Sequence, residues 1–187
     1  MKLVILFDHL LRQINGVFEF CDDPDCLLRI RKITASDTYN LPDITIPKGA
    51  PVVELHMWNE HTLPLPAAGP DIAWAVRMRQ LMVYSLHLLA REIQDNPQLN
   101  DVKAIKGVTV LLSPGEGLGS ERFVQRMGFS IFPYRNPLGR FSEFWENLYT
   151  WWLMGTFNQP TLKRHPLLTL RRTEIWISKN EFLQRHK

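Results

Sequence analysis

The segment that most constrains the fold runs from Pro70 to Asp95. Its apolar residues recur every three or four positions, with polar residues on the opposite side, which is typical of an amphipathic helix with one buried face. Proline suits the first turn of a helix, and Pro97 would end it. We therefore predict one long helix. Its buried stripe would be Ile72, Val76, Met82, Leu86, Leu89 and Ile93, and its polar stripe Arg77, Gln80, Tyr84, His87 and Arg91.

Short runs rich in β-branched residues lie on both sides of this helix and predict strands. The run at 106–112 is nearly all apolar, so we expect a central strand that is covered on both faces. The predicted fold class is α/β (α+β), a layered fold with a mixed sheet in the order α-β-β-α-β-α-β-α-β. Its strands are 28–34, 52–59, 106–112, 129–134 and 173–177, and its other helices are 2–15, 120–127, 142–154 and one after the capping-box pair Ser178 and Glu181.

Composition predicts a single domain over residues 1–187. Residues 142–187 would be a C-terminal elaboration of this domain. Hydrophobic residues make up 45% of the chain and charged residues 22%, which is ordinary for a globular protein. A chain of this length can bury a core without disulfides or metals.

The charge balance argues against a nucleic-acid partner. The formal net charge is only +3, whereas duplex binders concentrate many Lys and Arg side chains on one face. The N-terminal apolar run Leu3–Phe7 is too short for a signal-peptide core or a membrane span. We therefore expect a cytoplasmic protein.

The two cysteines, Cys21 and Cys26, enclose an acidic turn. They could form a redox pair or half of a metal site, but a structural zinc site needs four ligands and no second pair follows at suitable spacing. Neighbouring aspartates would also raise the thiol pKa values. We interpret the cysteines as small, partly buried residues, and whether they pair stays open.

The candidate site lies in the segment 53–61. A strand directs alternate side chains to opposite faces, so Val53, Leu55 and Met57 would pack under the long helix. The other face would carry candidate catalytic residues and a wall for substrate, with further polar groups at the strand exit. The predicted catalytic residues are Glu54, His56 and Glu60, and the predicted substrate-binding residues are Trp58, Asn59, His61 and Ser113.

Three interpretations of this face stay open. A glutamate beside another carboxylate, or a histidine against apolar surface, could act in general acid–base catalysis. His56, His61 and a carboxylate could instead hold a metal, although their spacing does not fix a ligand geometry, and we expect none. The face could also be a solvated surface with one structural Glu–His pair.

Ser113 opens a glycine-rich turn, 113–120, between a strand and a short helix. Backbone N–H groups at such a turn could hold a phosphate. The turn is neither a P-loop nor a dinucleotide fingerprint, and Glu116 would repel an anion. A connector is the favoured interpretation.

An aromatic segment at 141–157 includes Trp145, Trp151 and Trp152, and basic residues follow it. Tryptophan beside cationic residues suits a membrane interface or an anionic amphiphile. The alternative is a helix that packs on the sheet and is followed by a basic loop. Peripheral contact with the inner face of the membrane is therefore one expectation for this region.

The sequence resembles the YkoP-like domain family, bacterial domains that occur alone or attached to polysaccharide deacetylases. The resemblance rests on the segments 51–60, 101–112, 126–129 and 175–183, and the pattern Glu54-Leu55-His56 with Asn59-Glu60 is its most specific part. It implies a fold and a cell-envelope context, and it assigns no catalytic residue.

The order strand, long helix, strand, short helix, strand is also similar to the core of GCN5-related N-acyltransferases. In that fold a carboxylate on the strand before the long helix often serves as base, which implies Glu54 or Glu60. The sequence differs from that family at the start of the long helix, where Asp71 and its neighbours replace the family's pyrophosphate-binding turn. Acyl-CoA is therefore one candidate donor, and the cofactor is otherwise open.

Two functions are expected. The first is a transferase, with acyl transfer as one form, that acts on an envelope glycan or lipid precursor through a carboxylate base assisted by His56. The second is a non-catalytic accessory domain that binds a glycan, lipid or protein partner through the same face.

Overall fold

The structure is a computed structural model that describes residues 16–64, 66, 69, 71–109, 118–134 and 172–187. Within these ranges the chain forms a five-stranded sheet, a two-stranded hairpin and three helices. The strands are β1 (Leu28–Thr34), β2 (Tyr39–Asn40), β3 (Thr45–Ile46), β4 (Pro51–Met57), β5 (Ala104–Thr109), β6 (Ser130–Pro133) and β7 (Thr173–Ser178). The helices are α1 (Ile72–Asp95), α2 (Leu118–Arg126) and α3 (Lys179–His186), with single 3-10 turns at Asn59–His61 and Pro97–Leu99.

The large sheet is mixed, with the strand order β1-β4-β5-β7-β6. β4 and β5 are parallel, whereas the other neighbouring pairs are antiparallel. Parallel neighbours need a crossover connection, and α1 supplies it between β4 and β5. The predicted class, an α+β fold around a mixed sheet, is confirmed.

The helices cover one face of the sheet and build the larger core there. α1 contributes Leu86, Leu89 and Ile93, the strands contribute Ile30 and Val53 among others, and all five side chains are at most 1% exposed. α3 packs beside α1 on the same core through Phe182, which is fully buried. The main apolar layer therefore lies between the sheet and the helices.

The predicted buried stripe of α1 is wrong in its first half. Ile72 is 85% exposed and Val76 49% exposed, whereas Leu81 and Ala90, which the prediction omitted, are buried. A helix of 24 residues is about 36 Å long, while a seven-residue strand spans about 23 Å. The first turns of α1 therefore extend beyond the sheet that its second half covers.

A smaller core lies on the opposite face at the start of β4. The hairpin of β2 and β3 covers this end of the sheet, where Tyr39 stacks on Trp176 with ring centroids 4.0 Å apart. Ile46 and Val52 are fully buried beside them. The remainder of this face carries charged residues, which are described below.

The short elements largely follow their sequence signals. Ser178 caps α3 by accepting a hydrogen bond from the backbone N–H of Glu181, as the capping-box spacing predicts. The predicted helices 2–15 and 142–154 lie outside the described residues, as do positions 110–117. None of the helices in the described ranges is both long and apolar enough to cross a membrane.

Candidate functional site

The sheet face opposite the helices carries charged side chains on four neighbouring strands, β1, β4, β5 and β7. In the β1–β4 register Arg29 lies opposite His56 and Arg31 opposite Glu54, and Glu54 is beside Lys106 of β5. Residues directly opposite each other share a face. We define the charged face as Arg29, Arg31, Glu54, His56, Lys106 and Glu174.

Glu54 is the centre of the charged face. One of its carboxylate oxygens accepts hydrogen bonds from Arg31, including one of 3.1 Å from Nε, and lies 3.0 Å from Nε2 of His56. The other lies 3.4 Å from Nζ of Lys106. The Glu54 side chain is only 8% exposed, so nearly all of its interactions are with protein groups.

The pKa of Glu54 is lowered to about 2 by these neighbours. Burial by itself raises the pKa, but the hydrogen bond from His56 and the positive charges of His56, Lys106 and Arg31 outweigh it. Glu54 is therefore ionised throughout the physiological range. A carboxylate with so low a pKa is a weak proton acceptor at neutral pH.

The network continues from Lys106 to Glu174. Nζ of Lys106 lies 3.8 Å from a carboxylate oxygen of Glu174 and 5.4 Å from the centroid of the Trp176 ring. Glu174 is 2% exposed and accepts a 2.8 Å hydrogen bond from Nε1 of Trp176. The two cations Arg31 and Lys106 are thus balanced by two buried carboxylates.

His56 is the most exposed member of this network, with 34% of its side chain accessible. Because the ionised carboxylate of Glu54 can only accept hydrogen bonds, Nε2 of His56 must carry the hydrogen between them. In the neutral imidazole Nδ1 is then the acceptor, and it has no hydrogen-bond partner among the described residues. His56 is therefore oriented by Glu54 and has a free proton-accepting atom.

The strand exit differs from the prediction, because β4 ends at Met57 and not at Asn59. Trp58 immediately precedes the 3-10 turn and is 8% exposed. Its ring stacks on the His61 ring with centroids 3.7 Å apart, and the Arg29 guanidinium lies 4.4 Å from its centroid. Nδ1 of His61 is hydrogen bonded to the carbonyl oxygen of Cys26 at 2.9 Å. The side chains of Trp58 and His61 are thereby engaged within the protein.

Glu60 is not part of the Glu54–His56 pair. Its carboxylate lies 3.2 Å from Nη1 of Arg29, whose Nη2 lies 2.9 Å from Glu19. The Arg29 side chain is 4% exposed, and among the residues that the structure describes its Nε has no hydrogen-bond partner. The period-two prediction holds for Glu54 and His56 and is wrong for Glu60, because the helical turn replaces the strand geometry there.

The start of α1 is occupied by the chain's own carboxylate. Asp71 caps the helix by accepting a 2.7 Å hydrogen bond from the backbone N–H of Trp74. A negative group at this position opposes binding of a pyrophosphate.

Asn59 follows Trp58 in the 3-10 turn, and its backbone oxygen accepts a 2.7 Å hydrogen bond from the hydroxyl of Thr62. Ser113 lies outside the described residues, as do Trp145, Trp151 and Trp152. Of the predicted site residues, the structure therefore joins Glu54 to His56 and Trp58 to His61.

Comparison with known protein families assigns nearly the whole length of the chain to one family. The sequence matches the YkoP domain over residues 2–186. The chain belongs to the YkoP domain family. No curated protein and no solved structure matches it significantly.

Sequence reasoning missed four charged residues of this YkoP domain: Arg29, Arg31, Lys106 and Glu174. A signal for the first two was present, because they alternate with Leu28 and Ile30 in a strand. Lysine within the nearly all-apolar run of β5 was a second signal. A charged residue in a buried strand needs partners, so these positions predict carboxylates on the adjacent strands.

The cysteines of the YkoP domain are free thiols. Cys26 is fully buried, and its Sγ lies 3.4 Å from the carbonyl oxygen of Leu28. Burial first, and then a hydrogen bond with Cys26, raises the pKa of Cys21 to about 12. A thiol with so high a pKa is a poor nucleophile at neutral pH. The interpretation as a small, partly buried residue fits Cys21, whereas Cys26 is fully buried, and burial contributes more to the pKa of Cys21 than the aspartates do.

Proposed function

We propose that this YkoP domain is a transferase in which His56 transfers the proton and Glu54 positions it. The observation that carries the proposal is the Glu54–His56 pair, in which a buried, ionised carboxylate holds an accessible imidazole with Nδ1 free. A histidine oriented by a carboxylate is a recurring arrangement in general acid–base catalysis.

In this proposal Glu54 and His56 exchange the roles that the sequence suggests, in which Glu54 is the base and His56 assists it. With a pKa near 2, Glu54 does not take a proton from a substrate at neutral pH, whereas histidine changes charge between pH 5 and 8. Nδ1 of His56 would accept the proton of an attacking hydroxyl or amine as the new bond to the transferred group forms. The same proton would then pass to the leaving group as its bond breaks.

The substrate class, an envelope glycan or lipid precursor, comes from the family context described above. The donor is open among acyl-CoA and sugar nucleotides. The carboxylate of Asp71 at the start of α1 disfavours a pyrophosphate there, so we expect the donor to approach the charged face instead. Acyl transfer is the form that the order of strands and helices favours.

Thermal unfolding with a panel of ligands tests the proposal first. Acetyl-CoA, sugar nucleotides, anionic lipid vesicles and divalent metal ions would each be added to the full chain. A ligand present at a hundred times its Kd stabilises the folded state by about 2.7 kcal/mol. Stabilisation by acetyl-CoA or by a sugar nucleotide supports a transferase.

Measuring the turnover of the donor that stabilises the chain then distinguishes catalysis from binding. We expect His56→Gln to lower turnover by about 10²–10⁴-fold, which is the usual contribution of a general base, while donor binding is retained. His87→Gln, a histidine on the helix side of the sheet, is the matched control. If His56→Gln and Glu54→Gln both keep full turnover, the proposed roles are wrong.

A non-catalytic binding domain is the second candidate. It is favoured by the balanced charges of the charged face, where Arg31 and Lys106 are already paired with carboxylates, as in a structural network. Stabilisation by glycan or lipid vesicles alone, without turnover of any donor, would support it. Unaltered vesicle sedimentation of the double variant Trp151→Ala and Trp152→Ala would exclude a membrane role for that region.

A further inference from the structure

A cavity of about 320 Å³ lies at the end of the sheet away from His56. It is open to the surface and is lined by the β2–β3 connection, the turn between α2 and β6, and the junction of β7 with α3. Ser178, which lines the cavity, pairs with Ala104 on β5, and Ala104 pairs with Val52 on β4. Val52 precedes His56 by four residues, which is about 13 Å along the strand. The cavity is therefore separate from the charged face, and its volume suits a small molecule.

One wall carries the guanidinium of Arg185. Its Nε donates a hydrogen bond to Glu181, and its two Nη nitrogens have no partner among the described residues. Gly128 makes room for this side chain, because a Cβ there would lie 2.6 Å from Cδ of Arg185. The outer edge of the guanidinium can therefore take a carboxylate.

Asp43, which carries a carboxylate, also lines the cavity. One oxygen accepts a hydrogen bond from the hydroxyl of Ser178, and the other has no partner within the described part of the chain. No described cation pairs with Asp43, so the ionised groups Asp43, Glu181 and Arg185 together leave one negative charge. An ammonium group complements it.

Apolar side chains also line the cavity, namely Leu41, Phe129 and Ile177. Leu41, Phe129 and Ile177 are 8%, 3% and 2% exposed, so their positions are fixed by the two cores. A ligand with polar groups at Asp43 and Arg185 would place its apolar part against these side chains.

We propose that the cavity binds a free α-amino acid, with its ammonium group at Asp43 and its carboxylate at Arg185. The residual negative charge predicts that lysine binds more tightly than alanine or leucine, and that glutamate binds most weakly. This site is independent of the transferase proposal, since the cavity shares no residue with the charged face.

NMR titration of the full chain tests the proposal. L-lysine, L-leucine, L-alanine and L-glutamate are added, together with 3-methylbutylamine and 4-methylpentanoate, which each keep one charged group of leucine. We expect saturable shifts of the backbone amides of Gly128, Ser130 and Ser178, with leucine binding more tightly than either analogue. Asp43→Asn and Arg185→Gln should each weaken binding about tenfold, since each removes a charge-assisted hydrogen bond.

The exposed pair Asp25 and Arg77, which are 3.4 Å apart outside the cavity, provides the controls. Asp25→Asn and Arg77→Gln should leave the affinities unchanged. The proposal fails if none of the four amino acids gives saturable shifts at the cavity, if the analogues bind as tightly as leucine, or if the control variants weaken binding equally.

Discussion

At the scale of single residues, Glu54 determines which group of the charged face can exchange protons. Its carboxylate is buried among Arg31, Lys106 and His56. Burying one charge is costly unless partners compensate for it. The residue that looks like a base in the sequence is therefore the fixed charge of the site, and its histidine neighbour is the residue that we propose to transfer the proton.

Glu54→Gln should be strongly destabilising. The change keeps the shape of the side chain but leaves Arg31 and Lys106 without their shared carboxylate, and breaking a buried ion pair costs about 3–5 kcal/mol. Urea unfolding would measure the loss. Asp101→Asn, which removes an exposed partner of Lys32, should leave the unfolding midpoint nearly unchanged, and equal losses in the two variants would contradict the network.

The same carboxylate predicts how stability depends on pH. The pKa of Glu54 is about 2 in the folded protein and near 4.5 when unfolded, so its contribution is fully present above pH 4.5. It is lost as the pH falls through 2, and it amounts to roughly 3 kcal/mol. The difference in unfolding free energy between the wild type and Glu54→Gln should shrink over this window. A difference that is constant from pH 5 to 2 would show that Glu54 has an ordinary pKa.

At the scale of elements, comparing two glycines separates the cost of backbone strain from the cost of a steric clash. Gly128 has φ +93° and no space for a Cβ, whereas Gly49 has φ +84° with nothing within 4 Å of a Cβ. Both replacements by alanine should cost about 1–2 kcal/mol for the left-handed conformation. Gly128→Ala should cost more, because the new Cβ would meet Arg185 and Ile177.

Chemical denaturation of both alanine variants, and of Gly128→Ala combined with Arg185→Ala, would measure these costs. The double variant should recover part of the extra loss, since it removes the clash with Arg185 and leaves the backbone strain. Equal losses for Gly49→Ala and Gly128→Ala would indicate that Arg185 does not lie against the turn.

The position of α1 on the sheet can be tested along the helix. Leu89→Ala removes a fully buried side chain and should cost about 2–5 kcal/mol, while Ile72→Ala changes a residue that is 85% exposed and should stay within about 0.5 kcal/mol. Thermal or urea unfolding would compare the two. A large loss for Ile72→Ala would mean that the first turns of α1 are covered.

At the scale of the whole molecule, His186 connects α3 to two other parts of the fold. Its Nε2 lies 3.2 Å from the carbonyl oxygen of Met127, and its own carbonyl oxygen lies 2.7 Å from Nδ1 of His87 on α1. Burial, followed by the nearby charges of His87 and Arg185, lowers the pKa of His186, although the bond to Met127 opposes this. Protonation of His186 is therefore less favourable in the folded state than in the unfolded state.

This arrangement predicts that α3 detaches in acid. A histidine whose folded pKa is lowered contributes stability that is complete above its unfolded pKa, near 6.5, and is lost as the pH falls below it. Hydrogen exchange at residues 179–186 should therefore accelerate below pH 6.5, after correction for the intrinsic rate. His186→Gln should weaken this dependence, and an unchanged dependence would place the titrating group elsewhere.

Much of the fold follows from patterns that are local in the sequence. The strand at 28–34, the extent of α1 and the cap at Ser178 were predicted from periodicity and from terminal residues, because these signals act within a few residues of the chain. The pairing of Glu54 with His56 was predicted for the same reason, since residues two positions apart on a strand share a face whatever surrounds them.

Tertiary structure decided what those residues can do. Besides His56 on the same strand, the side chains that lower the pKa of Glu54 come from β5 and β1, at positions 106 and 31, and only the strand order β1-β4-β5 brings them together. Which turns of α1 are buried depended likewise on where the sheet ends. Electrostatic free energy depends on distance and burial, which are properties of the folded arrangement, whereas periodicity is a property of the chain.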